Sequence, residues 1–301
     1  MSQTSSLARP VAARRTAGTG RSFRPRRAVF RFVLLILAIV AACYALFPIV
    51  LVLAGSLQGD PAKIVTYWDP LSIKAFIPPS WSTSSYSSTI NGSFGTAMLN
   101  SIIVAVVTVG VGLVMAIMAA FALSVLNFRF KNAIFALVVV SFLIPFDAVS
   151  IPLSGTFRAW GLSNSLIGLI IPGLGNGLAV FLLRQFFLGI PGELVDAARV
   201  DGMGTFKLIT QVFVPLSKPA VIGAGLILFT TQWQEYLWPL LVIGDQGKQV
   251  APVAIGEFVT QFSTDFRGMF AAAVLVTALP MVAVLLLQRY FTQSVIGTGD
   301  K

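Results

Sequence analysis

A chain of 301 residues that is 56% hydrophobic and 11% charged, with a mean hydropathy of +0.87, excludes a soluble globular protein, which would carry roughly 25% charged residues. The net charge of +10 does not point to nucleic acid, because eight of the 21 basic residues lie ahead of the first apolar run. A single cysteine, Cys43, and the absence of histidine exclude a disulfide framework and remove the commonest metal ligand and general base.

The apolar runs are long and helical in character, unlike the short alternating strands of an outer-membrane barrel. The expected fold class is all-α: a polytopic membrane protein with six transmembrane helices. Residues 1–29 are rich in Ser, Ala, Arg and Pro and read as a disordered basic tail on the cytoplasmic side. Residues 30–54 form the first span, with an apolar run from Phe32 to Leu53 that is too long for a signal-peptide core. Cys43 is expected to pack within the membrane. Residues 55–94 are a polar external loop with room for short interfacial helices, and Trp68 and Trp81 suit the membrane surface.

Residues 95–291 form the core, with the five remaining spans. Its second span runs near Thr96–Leu126 and the basic turn Asn127–Asn132 follows. The third, Ala133–Leu153, is expected to break at Pro145 and Pro152, ahead of a short loop, Ser154–Ser165. The fourth, about Leu166–Leu183, is interrupted by Pro172, Gly173, Gly175 and Gly177. The fifth and sixth cover about Ala220–Ile243 and Met269–Leu287, with Gly244–Gly268 polar between them. Residues 292–301 are a second cytoplasmic tail. Six spans place both termini on one side, and sixteen basic residues fall on that side against five on the other. The positive-inside rule therefore makes the termini and the 189–219 loop cytoplasmic.

That loop, Gly189–Pro219, is the most clearly amphipathic stretch of the chain. Pro191 suits a first helical position, Glu193 and Asp196 lie early in the helix, and Gly202 suits a C-terminal turn with φ > 0. A second helix is expected from about Thr205 to Val214, ended by Pro215, with Phe206, Ile209, Val212 and Phe213 on one face. Leu194, Val195 and Ala198 are the apolar positions able to fill a partner's groove. No P-loop lysine, metal cluster or nucleophile constellation stands out, so the chain reads as no enzyme and as a binder of no cofactor. Two acids lie in or near spans, Asp147 and Glu235. An intramembrane carboxylate is costly and normally faces a cavity or partner. With Gln232, Trp233 and Tyr236 around Glu235, these residues are candidates for a translocation pathway; ordinary span packing is the competing reading for the aromatics.

Asp196-Ala197-Ala198, three residues, Gly202, nine residues, then Val212-Phe213-Val214-Pro215 resembles the cytoplasmic loop of importer-type ABC transporter permeases. Asn100-Ser101, Phe128-Arg129-Phe130, Ile144-Pro145, Trp233-Gln234-Glu235-Tyr236 and Gln288-Arg289-Tyr290-Phe291 extend the likeness to the carbohydrate-importer, MalG-like branch. The resemblance implies a type I importer permease with a coupling helix contributed by Glu193, Leu194, Asp196, Ala197, Ala198, Gly202, Val212 and Pro215. It further implies a homologous second permease, two cytoplasmic ATP-binding subunits that use ATP and Mg, an external solute-binding protein, and a sugar as substrate in the cell membrane. Glycerol-3-phosphate is the competing substrate within that family. An ion-coupled secondary transporter using Asp147 or Glu235, and a non-transporting scaffold, are the readings outside it.

Overall fold

The computed structural model describes residues 25–260 and 263–296, with side chains placed for 30–260 and 263–287. Residues 1–24 of the tail at 1–29, and 297–301 of that at 292–301, lie outside the described residues. Among them, extended pairing is limited to isolated bridges, such as Gln58 with Trp81, and everything else regular is helical. Four helices are long and apolar enough to cross a membrane, six if two bent helix pairs each count as one span.

The chain divides after Ile49. The first unit contains the opening of α1 (Pro25–Ser56), and every side chain there from Phe30 to Ile49 is exposed, Cys43 included.

The second unit, from Val50 onward, begins with the end of α1 and a polar segment of short helices. Its pieces are α2 (Lys63–Trp68), a 3₁₀ turn at Ile73–Ala75 and α3 (Ser84–Asn91). Buried serines hold the segment together. Ser56 pairs its hydroxyl with that of Tyr86 at 2.6 Å, and Ser85 Oγ donates to the Ser56 carbonyl at 2.7 Å. Trp68 stacks on Phe270 at 5.0 Å, whereas Trp81 is exposed.

Next come α4 (Ser93–Val125), α5 (Lys131–Leu143), α6 (Phe146–Ala159), α7 (Leu166–Leu174) and α8 (Gly177–Leu188). After them the 189–219 loop contributes α9 (Gly192–Val200), α10 (Thr205–Leu208), a π-turn at Ile209–Phe213 and α11 (Val214–Leu216). The remaining elements are α12 (Lys218–Gln234), α13 (Leu237–Val242), α14 (Ala251–Ala254) and α15 (Phe266–Ile296). The central helix is α4, which packs against α7, α8 and α12. Small residues on it, Ala105, Gly112, Ala116 and Ala120, are buried at these crossings. In lipid, close van der Waals approach of small residues is what draws helices together.

Three span expectations need correction. Pro145 does break the third span, turning α6 by 95° from α5, but Pro152 lies inside α6 without breaking it. As a consequence Ser154–Ala159, expected in a loop, is helical. Pro172 is likewise inside a helix, and the fourth span is interrupted only at Gly175 and Asn176, where Asn176 Oδ1 accepts the Ala179 N–H at 2.9 Å and caps α8. Finally, the fifth span is not one helix. It stops at Gln234 and resumes at Leu237.

Candidate functional site

Two places in the second unit have the character expected of a functional site. One is the helical knob built by the 189–219 loop. Pro191 precedes α9 as its N-cap, one position earlier than expected, and Glu193 lies in the first turn. Gly202 adopts φ +76° and closes the helix. Its N–H donates to the Arg199 carbonyl and that of Met203 to the Ala198 carbonyl, both at 3.0 Å, which together make a Schellman turn. Half-buried Met203 packs against the apolar cluster that holds Ala198, completing the hydrophobic part of that motif.

Pro215 does not end the second helix. The helix continues to Leu216 and turns by 90° only at Ser217. Pro215 has no N–H to give, and the preceding π-turn loosens the ladder: Val214 N–H reaches back five residues to the Ile209 carbonyl. The π-turn also changes which side chains point inward. Phe213 and Leu208 are fully buried, Ile209 and Val212 half-buried, and Phe206 is 78% exposed.

The same sorting occurs on α9. Val195 and Ala198 are buried against Phe187, Leu208 and Phe213, so they anchor the knob to its own protein. Leu194, Asp196 and Ala197 face outward, and Val200 is 87% exposed. The expectation that Val195 and Ala198 fill a partner's groove is thus corrected; the outward apolar surface is Leu194, Ala197, Val200 and Phe206. Phe213 is the anchor's centre. It makes edge-on contacts at 5.1 Å with both Phe121 of α4 and Phe187 of α8. The knob is therefore wedged into the span bundle.

The second place is the break in the fifth span. Glu235 and Tyr236 are non-helical, and Glu235 Oε1 accepts the Trp238 N–H at 3.4 Å. Trp238 is buried; its Nε1 donates to the Gly168 carbonyl at 3.0 Å, and its ring meets Phe157 edge-on at 4.9 Å. A Cβ at Gly168 would run into the Leu162 carbonyl, so the loop before α7 folds this closely onto the helix only with glycine there. Broken backbone at membrane depth is tolerated where protein buries it or where it lines a cavity. A narrow cleft of about 10 Å³, roughly one water in size, does lie here between Ser101, Gln232, Trp233, Glu235, Pro239 and Val250.

The predicted pathway residues thus divide. Gln232 and half-buried Glu235 reach the cleft, while Tyr236 is half exposed. Trp233 also borders the cleft, but it is 3% exposed and donates its ring N–H to the Val276 carbonyl at 3.0 Å, so it packs against α15 as well. Asp147 is exposed in the first turn of α6, where the helix dipole favours its charge. Asn100 and Ser101 were legible only through the resemblance. Asn100 Nδ2 donates to the Gly247 and Gln249 carbonyls, and Ser101 Oγ accepts the Ala251 N–H at 2.7 Å, so both tie α4 to the segment between α13 and α15. Asn164, which sequence reasoning passed over, accepts the N–H groups of Gly244 and Asp245 from the αL conformation.

Glu235→Gln keeps an oxygen for Trp238 and is expected to leave the thermal unfolding of the purified chain unchanged. Glu235→Ala removes the acceptor and is expected to lower stability by about 1 kcal/mol, read as a shift in the same melting curve.

A bundle of membrane-length helices, a span broken at a polar cleft and an amphipathic knob wedged into the bundle define a membrane transport subunit. The chain belongs to the family described as binding-protein-dependent transport system inner membrane component, whose profile it matches over residues 112–297. It is 32% identical to the sn-glycerol-3-phosphate transport system permease protein UgpE of Rhizobium meliloti over 203 residues, which is 67% of this chain and 72% of that protein. It is 27% identical to the arabinooligosaccharides transport system permease protein AraQ of Halalkalibacterium halodurans, over 86% of this chain and 92% of that one. Its fold is similar to a chain of a bacterial ABC transporter involved in the import of the acidic polysaccharide alginate, with a TM-score of 0.78 at 23% identity, covering 89% of this chain and 98% of that one. The chain is accordingly a multi-pass inner-membrane permease subunit of an ABC importer and not itself an enzyme. Membership decides against the ion-coupled carrier and the non-transporting scaffold.

Proposed function

We propose that the chain forms half of the translocation pathway of an ATP-driven carbohydrate importer, and that the 189–219 knob is where a cytoplasmic ATPase subunit grips it. The observation that carries this reading is the two-sided knob: Val195, Ala198 and Phe213 lock it into the spans, while Val200 and Phe206 stand exposed on it. An amphipathic helix that turns large apolar side chains outward fits a groove on another protein. Glu193 and Asp196 add charge that a basic groove rim can pair with. The knob faces the cytoplasm on the count of sixteen basic residues against five. A homologous second permease supplies the other half of the pathway, two ATP-binding subunits use ATP and Mg, and an external solute-binding protein delivers the solute to 55–94 and 244–268. ATP-driven closure of the ATPase pair moves the knob, and the spans turn outward to receive the sugar; hydrolysis resets them.

The relatives leave two substrate classes, since one carries a glycerol-3-phosphate name and another an oligosaccharide name. The cleft at Glu235 favours the carbohydrate: its lining includes a carboxylate and two amide or hydroxyl side chains, Gln232 and Ser101, and no cation to receive a phosphate ester. ATPase activity of the reconstituted complex, stimulated by binding protein loaded with neutral oligosaccharide and not with glycerol-3-phosphate, is the expected result.

Coupling is tested on the same complex. Val200→Asp or Phe206→Asp places a charge where the groove is apolar and is expected to lower ATP-driven uptake at least tenfold, as loss of an interface anchor does. Both positions are exposed, so the melting temperature should not change. In a Cys43→Ser background, a single cysteine at position 206 should cross-link to the ATPase subunit. Uptake at the normal rate in both variants would end the coupling reading.

A further inference from the structure

We propose that the turn between α4 and α5 forms, with α8, a binding site for the phosphate group of an anionic ligand, and that an anionic phospholipid headgroup is its natural occupant. An open cleft of about 560 Å³ lies here, lined among others by Asn127, Phe128, Phe130, Lys131, Asn132 and Arg184. Two cations converge on it from different helices. Lys131 Nζ donates to the Ser124 and Leu126 carbonyls at 2.8 and 2.9 Å, and Arg184 Nε donates to the Leu123 carbonyl at 3.0 Å. Both therefore cap the C-terminus of α4, where cations are favoured.

These bonds leave donors over. A lysine ammonium has three and uses two; a guanidinium has five N–H groups, and the one bonded here is Nε–H. The Arg184 guanidinium carbon stands over the Phe135 ring, 3.8 Å from its centre, a cation–π contact that holds the group beside the cleft. No carboxylate lines the cleft, and the ion pairs found among the described residues, Lys63 with Asp60 and Lys248 with Asp245, lie elsewhere. Two half-buried cations side by side without a counter-ion call for an anion from outside.

The position selects the lipid. The cleft lies between the end of α4, the start of α5 and the last turn and a half of α8, where three membrane helices meet the interface. A phospholipid phosphate is found at that depth, and basic residues in such a place attract anionic headgroups. Phe128 and Phe130 border the cleft and are 40% and 66% exposed, which suits them to the acyl and glycerol part of a lipid.

The test uses the purified full chain and native mass spectrometry after exposure to phosphatidylglycerol or phosphatidylcholine, each with and without excess inorganic phosphate. The wild type is expected to retain phosphatidylglycerol about tenfold over phosphatidylcholine. Asn132→Asp and Phe128→Asp put a carboxylate into the cleft while leaving both caps of α4 in place, and each is expected to abolish that preference with an unchanged melting temperature. If inorganic phosphate displaces the lipid, the site reads the phosphate group whatever its source; if it does not, the acyl part contributes and the lipid is the ligand. Equal retention of both lipids by the wild type, or a preference that survives both substitutions, would overturn the proposal.

Discussion

Gly202→Val is expected to reduce ATP-driven uptake by about 100-fold, the upper range of a coupling free energy between two sites, while leaving membrane insertion intact. Nothing lies within 4 Å of where a Cβ would stand at this position, so the cost is not a clash. It is the backbone itself: φ is +76°, and a residue with a side chain pays about 1–2 kcal/mol there, more when β-branched. The cheapest relief is to open the Schellman turn, which frees the Ala198 and Arg199 carbonyls and lets α9 swing against α10. The outward set of Leu194, Val200 and Phe206 then loses its common geometry. Gly202→Asn is the control, since asparagine tolerates the left-handed region, and it should retain most of the uptake. Measuring uptake and substrate-stimulated ATPase together separates a loss of coupling from a loss of protein. Full coupling in the valine variant would show that the turn's shape does not matter.

Trp238→Ala is expected to be the most destabilising single change, lowering the stability of the purified chain by about 3 kcal/mol. The indole fills the space between α6, α7 and α13, meets Phe146 and Phe157 edge-on and donates to the Gly168 carbonyl. Its removal leaves a cavity and an unpaired acceptor at once. Trp238→Phe keeps most of the packing and gives up only the hydrogen bond, so its cost should be about 1 kcal/mol. Denaturant or thermal unfolding of the detergent-purified variants measures both. Equal costs for alanine and phenylalanine would mean that the hydrogen bond, and not the filled volume, holds these helices together.

The contrast between these two positions says what a sequence can disclose here. Gly202 was legible because its cause is local: an amphipathic helix followed by a glycine is a helix with a left-handed stop. The all-helical, membrane-length character of the spans was legible for the same kind of reason, as was the break at Pro145, where the ring removes a donor from the helix ladder. The break after Gln234 was not, because Trp-Gln-Glu-Tyr-Leu-Trp carries no proline or glycine until Pro239. It exists because Trp238 is held by a carbonyl 70 residues earlier and Glu235 turns back onto its N–H. The burial of Val195 and Ala198 was hidden similarly. Periodicity identified an apolar face on α9, but only the fold could say that this face meets Phe187 and Phe213 of the same chain. Proline was over-read as a helix break at positions 152, 172 and 215, where the helix absorbs it, once with a π-turn.

The interrupted fifth span has a mechanical meaning. Its first half, α12, starts at the bend that follows the knob, and its second half, α13, is bolted through Trp238 to α7. The two are joined by Glu235 and Tyr236 alone, without a continuous ladder of backbone hydrogen bonds. Such a joint is a hinge. On the proposed coupling, a stroke delivered through the knob would rotate α12 while α13 stays with its neighbours, and no helix would have to tear its own bonds in the cycle.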